Sequence, residues 1–163
     1  MKRFLKLVPD AMAVFMAVIF LDSLRYKFTD HSNTQEIFGR LDGWAGTLGL
    51  PGLFAHEGLF SQYVIGSIEL LASALLLAGL HPRFRHLQAG GALAGLLVMT
   101  GAVSFHLFTP LGIDPNRDGG GLFAAACLNL AFAVLLLAGF RREALLELVR
   151  RIMGVVAPAP ARL

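Results

Sequence analysis

The stretch 122–140 reads LFAAACLNLAFAVLLLAGF and contains no charged side chain. Three other apolar stretches of similar length lie at 7–24, 60–80 and 87–108. A helix needs about 20 apolar residues to cross a bilayer, because each residue adds ~1.5 Å toward a hydrocarbon layer about 30 Å thick. The sequence therefore predicts an all-α integral membrane protein: one membrane domain over residues 1–163, built as a bundle of four transmembrane helices.

The composition agrees with a membrane protein. Apolar residues make up 56% of the 163 residues, charged residues 15%, and the mean hydropathy is +0.66. A water-soluble chain of this length would need far more polar surface. The net charge is +3, but the basic residues flank the apolar stretches, which favours lipid headgroups over nucleic acid as a partner. The single cysteine, Cys127, has no internal disulfide partner and is predicted to be a core residue.

The distribution of basic residues predicts the topology. No small-residue cleavage site follows the first apolar stretch, which is therefore interpreted as a retained span. Basic residues concentrate at the N-terminus, in the 81–86 turn and after residue 140, whereas the other two connections hold only four (Arg25, Lys27, Arg40 and Arg117). By the positive-inside rule both termini face the cytoplasm, and residues 25–59 and 109–121 lie outside.

Two segments outside the spans are also assigned. The outer loop 29–59 is broken by glycines and carries Trp44, Leu48 and Phe54, which is typical of a membrane-surface segment or a partial re-entrant cap. Residues 141–156 alternate with a helical period and predict an amphipathic interfacial helix, ended by Pro158 and Pro160. A simple charged tail is the alternative.

Polar residues inside the apolar stretches are the candidate functional groups, because a charge at mid-bilayer costs on the order of 3 kcal/mol. Glu69 belongs to a stripe with Gln62, Gly66 and Ser73 that points into the bundle, and Asn129 lies at a similar depth. The predicted outer half holds nearly all of these groups, and Asp10 is almost the only polar residue of the inner half. The pattern predicts an outward-opening polar chamber above an apolar floor, which argues against a simple pore.

Two interpretations of these polar groups stay open. Arg25 could reach Glu69, Asp22 could hold Lys27 or His106, and Asn129 could bond a neighbouring helix, which would make them interhelical ties. The same groups could instead bind a ligand or handle protons. The Gly91-xxx-Gly95 spacing permits close helix packing, either within the chain or between subunits.

Metal sites are disfavoured. His31, His56 and His106 lack the close spacing of a haem or metal site. Residues 114–119 resemble the opening of a calcium loop, but Ala125 stands at the twelfth position, where a glutamate is required. Asp118 is instead predicted to cap the fourth span.

Four short motifs resemble the DoxX and DoxX-like family of small four-helix membrane proteins. They are DSLRYKF at 22–28, the apolar run from Glu69 to Gly79, GAVSFHL at 101–107 and DGGGLF at 118–123, and the likeness covers about residues 5–142. The resemblance implies Arg25, Glu69 and His106 as a polar site. It also implies an accessory protein or membrane subunit in quinone-linked redox or oxidative-stress metabolism. Relatives that act on thiols use cysteines, and this chain has one.

The expectation is thus a multi-pass protein of the bacterial inner membrane that binds a ligand, with quinone as the candidate. The bilayer is its first partner, and a redox enzyme subunit or a second copy of the chain are further candidates. The alternative is a non-catalytic binding, assembly or transport protein whose polar core is structural, and whether the chain is an enzyme stays open. The candidate ligand-binding residues are Arg25, Glu69, His106, Asp22, Asn129 and Gln62.

Overall fold

The computed structural model describes the backbone of residues 2–156 and the side chains of 7–151, 153 and 154. Within that range the protein is entirely helical, with six α-helices and no strand. The helices are α1 (Lys2–Lys27), α2 (Ser32–Thr47), α3 (Gln62–Ala78), α4 (Leu87–Phe108), α5 (Gly121–Leu135) and α6 (Arg142–Val156). A short 3-10 turn (Pro82–Phe84) precedes α4, and a π-helical turn (Leu136–Phe140) extends α5.

Helices α1, α3, α4 and α5 form an up-and-down bundle. Helix α3 packs against both α1 and α4, and α4 also packs against α5. The core is filled by Met16, Phe20, Leu76 and Leu136, which are at most 1% exposed, together with many alanines. Large apolar side chains also cover the outside of the bundle, for example Leu71 at 56% exposure. An apolar exterior is what a helix bundle presents to lipid.

Three helical segments are long and apolar enough to cross a membrane: Leu7–Lys27, Leu87–Phe108 and Gly121–Phe140. These correspond to the first, third and fourth predicted spans. The predicted second span is also an apolar helix, but α3 has 17 residues and is about 26 Å long at ~1.5 Å per residue. The prediction of an all-α protein is therefore confirmed, and three of its helices are long and apolar enough to cross a membrane, whereas α3 is shorter than the expected 60–80.

Glycines allow α4 to approach its neighbours closely. A Cβ placed on Gly91 would lie 2.8 Å from the carbonyl oxygen of Ala72 in α3. A Cβ on Gly95 would lie 2.9 Å from Cε of Met16 in α1. The Gly91-xxx-Gly95 motif thus packs within the chain, on two different neighbouring helices.

Substituting Gly91→Ala is expected to destabilise the bundle by about 1–3 kcal/mol, because the added methyl group meets the α3 backbone. The control is Gly90→Ala, whose Cβ would lie 3.6 Å from Leu75 Cδ1 in ordinary contact. Thermal unfolding in mild detergent, followed by the fluorescence of the single Trp44, measures both. Equal melting temperatures for the two variants would contradict the close approach of α3 and α4.

Helix α2 occupies half of the segment that was predicted to be a loop. Its N-terminus is capped by His31, whose Nδ1 accepts a hydrogen bond of 3.2 Å from the Asn33 amide. Leu41 and Ala45 of α2 form a second apolar cluster with Phe54 and Leu111. This cluster covers the end of the bundle at which α1 and α4 end. We call this part of the protein the α2 end. The sequence did not indicate this helix, because the glycines of α2 lower the intrinsic helix propensity of the segment.

The opposite end of the bundle, where α6 begins, is more polar than predicted. Gln88 is completely buried, donates to Asp10 Oδ1 at 3.1 Å and accepts from Arg141 Nε at 2.8 Å. Arg141 also pairs with Asp10 at 3.4 Å. Burial lowers the pKa of Arg141, an effect that Asp10 opposes. This end of the bundle, called here the α6 end, therefore contains an ion-pair network that ties α1, α4 and the residue before α6 together.

The C-terminal prediction is confirmed as a helix, α6, that begins at Arg142. One side of α6 packs on the bundle through Ala144 and Leu145, while Leu146, Val149 and Met153 are exposed. Charged residues occupy the remaining face. Pro158, Pro160 and Arg162, and the side chains of Lys2, Arg3 and Lys6, lie outside the described residues, so the predicted stop at the prolines stays a prediction.

Candidate functional site

A cavity of about 710 Å³ lies at the α2 end of the bundle. Its walls come from α1, α2, α4 and α5 and from the 109–120 connection, and Ile65 and Glu69 contribute from α3. Most of the lining is apolar and includes Ile19, Phe38, Leu97, Met99, Phe105 and Leu122. The polar groups on the walls include Ser23, Lys27, Glu69, His106, Asn116 and Asp118. The sequence predicted a chamber at this end, and the structure has one, with an interior that is more apolar than expected.

Glu69 is the buried carboxylate on the wall of this cavity, at 2% exposure. Its Oε2 lies 2.9 Å from the Lys27 ammonium and accepts a hydrogen bond of 2.8 Å from the Ser23 hydroxyl. Lys27 also donates to Ser23, one helical turn away on α1. A buried charge must be paired and hydrogen-bonded to be tolerated, and these three side chains meet that requirement.

Arg25 is not the partner of Glu69, and that prediction was wrong. Arg25 pairs with Asp22 at 2.9 Å and is 65% exposed, with its guanidinium over the Tyr26 ring. The cause is helical geometry: Ser23 and Lys27 are four residues apart and share the face toward Glu69, whereas residue 25 points away. Asp22 lines the cavity but holds Arg25, neither Lys27 nor His106.

Gln62 is a tie between helices and lies outside the cavity lining. Its Nε2 donates to the Lys27 carbonyl at 2.8 Å and to Asp30 Oδ1 at 2.5 Å, and its Oε1 accepts from Gln35 of α2 at 2.8 Å. Tyr63 donates to the same Asp30 oxygen at 2.6 Å. Gln62 therefore joins the end of α1 and the first turn of α2 to the start of α3. These contacts favour a structural role for this residue.

His106 lies on the cavity wall and is 6% exposed. Its Nδ1 is 2.6 Å from the carbonyl oxygen of Gly112, and the ring packs on Phe123 at 5.5 Å. A carbonyl oxygen only accepts, so Nδ1 carries the proton of this hydrogen bond. The contact orients the ring and ties the end of α4 to the connection before α5.

Two asparagines carry buried amide atoms without a partner among the described residues. Asn129 is completely buried, and neither its Oδ1 nor its Nδ2 makes a hydrogen bond, so the predicted bond to a neighbouring helix is absent. It lies one turn from Ala126, which lines the cavity, but does not line it itself. The second, Asn116, lines the cavity with its Oδ1 buried and unpaired. The sequence places Asn116 in the calcium-like turn 114–119, and nothing in that pattern indicates that its side chain lines a cavity.

Asp118 caps α5, as predicted. Its Oδ1 accepts from the amides of Gly120 and Gly121 at 3.0 and 3.1 Å, and its Oδ2 accepts from Leu122 at 2.9 Å. These hydrogen bonds, above all the one from Leu122, lower the pKa of the Asp118 carboxyl. Among the described residues no group of three or more His, Cys, Asp or Glu side chains is arranged to hold a metal ion.

Substituting Lys27→Met is expected to destabilise the protein by about 3 kcal/mol, because it leaves the Glu69 charge buried without its cation. The double variant Lys27→Met/Glu69→Gln removes that charge, and we expect it to recover most of the loss. Melting temperatures in detergent measure the effect. The control is Arg25→Met, which breaks an exposed pair worth about 0–1 kcal/mol. A double variant no more stable than Lys27→Met would contradict the pairing.

Substituting Asp118→Ala is expected to lower the free energy of unfolding by roughly 1 kcal/mol at neutral pH, through loss of the helix cap. The folded-state pKa of the Asp118 carboxyl lies below its usual range, so the contribution is fully present above the pKa of the unfolded chain and disappears as the pH falls through the folded-state pKa. The melting temperatures of wild type and variant should therefore converge in acid. Glu57→Ala, at an exposed carboxylate, is the control, and a difference that persists unchanged in acid would argue against the ionised cap.

Comparison of the chain with protein-family models, with curated proteins and with solved structures finds no match in any of the three.

Proposed function

We propose that this chain is a DoxX-like membrane protein that binds a quinone-type ring in the cavity at the α2 end. It would serve as an accessory protein or membrane subunit in quinone-linked redox or oxidative-stress metabolism of the bacterial inner membrane. The single observation that carries the proposal is the cavity itself: a large apolar space with a few fixed polar groups, inside a bundle with an apolar exterior.

The size and chemistry of the cavity support a ring ligand. Its volume of about 710 Å³ falls in the range of about 300–1,000 Å³ that is usual for small-molecule sites. Apolar walls match the ring and its hydrophobic substituents, while a few polar side chains can orient the ring oxygens.

Lys27 takes the role that the resemblance gave to Arg25. Its ammonium lies against three acceptor atoms, the Ser23 hydroxyl oxygen and the two carboxylate oxygens of Glu69 at 2.9 and 3.1 Å. An oxygen of the ligand would share one of its protons with these acceptors. His106 lines the cavity from α4 and would contact the ligand from that side.

In the proposed topology α3 is a fourth span, in addition to the three helices that are long and apolar enough to cross a membrane. Both termini would then face the cytoplasm, and the cavity would open toward the outer side, where the connections hold few basic residues. A span of 17 residues is at the lower limit of the usual range of about 17–25 residues, and local bilayer thinning would accommodate it.

A non-catalytic assembly protein with a structural polar core is the second candidate. The observation in its favour is that Glu69 already has two partners, Lys27 and Ser23, within the chain. Under this alternative, variants of the pair would reduce protein abundance and any cellular phenotype in proportion.

The binding proposal is tested by purifying the protein in mild detergent and extracting bound isoprenoid quinone. Ala102→Phe fills the cavity and is expected to reduce the bound quinone at least tenfold, since the ring and the phenyl group compete for the same space. Ala131→Phe places the same side chain on an exposed face of α5 and should leave the quinone content unchanged.

Absence of quinone from wild type, and no binding when a short-chain benzoquinone is added, would overturn the proposed ligand. Loss of quinone in Ala131→Phe but not in Ala102→Phe would show that the bilayer-facing surface, and not the cavity, holds it, and would overturn the proposed site.

A further inference from the structure

Two positive groups face one negative group at the α6 end. Asp10 is already held by Arg141 at 3.4 Å and by Gln88 at 3.1 Å. Arg85 approaches the same carboxylate, but its guanidinium lies 3.8 Å from Asp10 Oδ2, which is beyond hydrogen-bonding distance. We call Asp10, Arg85 and Arg141 the α6 junction. It contains one positive charge more than its single carboxylate can neutralise.

The two guanidinium groups are close enough to affect each other. Burial is the main cause of the lowered pKa of Arg141; Asp10 opposes this effect, and the charge of Arg85 adds to it. The Arg85 side chain is 45% exposed, against 12% for Arg141, so Arg85 is the group that an anion from outside can reach. A second anion beside Arg85 would offset the repulsion that Asp10 leaves.

The α6 junction lies at the boundary of the apolar segments that are long enough to span a membrane. Arg85 precedes the segment Leu87–Phe108 by two residues, and Arg141 directly follows the segment Gly121–Phe140. Phospholipid headgroups lie at this level, just outside the hydrocarbon layer. A guanidinium group is well suited to a phosphate, because it can donate two parallel hydrogen bonds to two phosphate oxygens.

Helix α6 presents an apolar surface at the same end. Leu146, Val149 and Met153 are exposed and follow one another at intervals of three and four residues, which places them on one face of the helix. Ala144 and Leu145 pack on the bundle instead. A helix with an exposed apolar face and a charged face lies in the interface of a bilayer. This position keeps the α6 junction at the depth of the lipid phosphates.

We propose that the α6 junction binds the phosphate of an anionic phospholipid such as phosphatidylglycerol, with Arg85 as the main contact and Arg141 behind it. The negative charge of the lipid neutralises the cation that Asp10 leaves unpaired. Phosphatidylcholine has the same phosphate but carries its own ammonium group, so it gains less from the excess positive charge. A soluble phosphate ester lacks acyl chains, and the exposed apolar face of α6 favours the lipid. The site lies at the opposite end from the cavity and is independent of the cavity's ligand.

The test measures which lipid the protein retains. The protein in mild detergent is mixed with equal amounts of phosphatidylglycerol and phosphatidylcholine that have identical acyl chains and is then repurified, and the bound lipids are quantified by mass spectrometry. We expect wild type to retain about fivefold more phosphatidylglycerol, and Arg85→Gln to retain nearly equal amounts of the two lipids. The control Arg151→Gln removes a positive charge from the same end, at a residue that pairs with Glu147 outside the α6 junction, and should leave the ratio unchanged.

Asp10→Asn distinguishes a lipid site from a structural tie. Asparagine keeps an oxygen for Gln88 but removes the negative charge that competes with the lipid, so the ratio should rise about twofold or more. A ratio in Asp10→Asn at or below that of wild type would argue against the site.

Three other results would overturn the inference: equal retention of the two lipids by wild type, an unchanged ratio in Arg85→Gln, or equal reductions in Arg85→Gln and Arg151→Gln. The last result would show that the charge of the whole surface, and not the α6 junction, selects the lipid. Displacement of phosphatidylglycerol by the same concentration of glycerol 3-phosphate would overturn the lipid as the source of the phosphate.

Discussion

A carboxylate inside a bundle of apolar helices must have a cation beside it, and the arrangement of this protein's α2 end follows from that requirement. Glu69 is 2% exposed and is held by Lys27 and Ser23 from α1. The pair fixes the rotation of α1 against α3, because only one face of α1 carries both partners. With α1 fixed, Arg25 is directed to the exposed side and pairs with Asp22 at the cavity wall.

The cavity exists because the helices pack closely in one part of the bundle, whereas in another part the space between them is only covered by other segments. Gly91 and Gly95 bring α4 against α3 and α1 below the cavity. At the α2 end, α2 and the 109–120 connection lie across the space between the helices. The apolar cluster of Leu41, Ala45, Phe54 and Leu111 secures that cover without filling the space beneath it.

The two ends of the bundle each contain a carboxylate paired with a cation, Glu69 at the α2 end and Asp10 at the α6 end, but the surroundings of the two pairs differ. At the α6 end Asp10, Gln88 and Arg141 hydrogen-bond to one another. At the α2 end Lys27 contacts Ser23 and both carboxylate oxygens of Glu69, and the buried amide oxygen of Asn116 has no partner among the described residues. A completed network stabilises a helix junction, whereas an incomplete one beside a cavity is suited to a ligand.

The sequence by itself determined the helical class, because runs of apolar residues without charge leave the backbone no other way to satisfy its hydrogen bonds in lipid. It also indicated Glu69 and His106 as cavity residues and Asp118 as a cap, since burial of polar groups and capping depend on nearby residues. It could not decide between Arg25 and Lys27, or show that Gln62 is a tie, that α2 is a helix, or that Asn116 reaches the cavity. Those outcomes depend on the rotation of each helix and on contacts between distant segments, and only the tertiary structure fixes them.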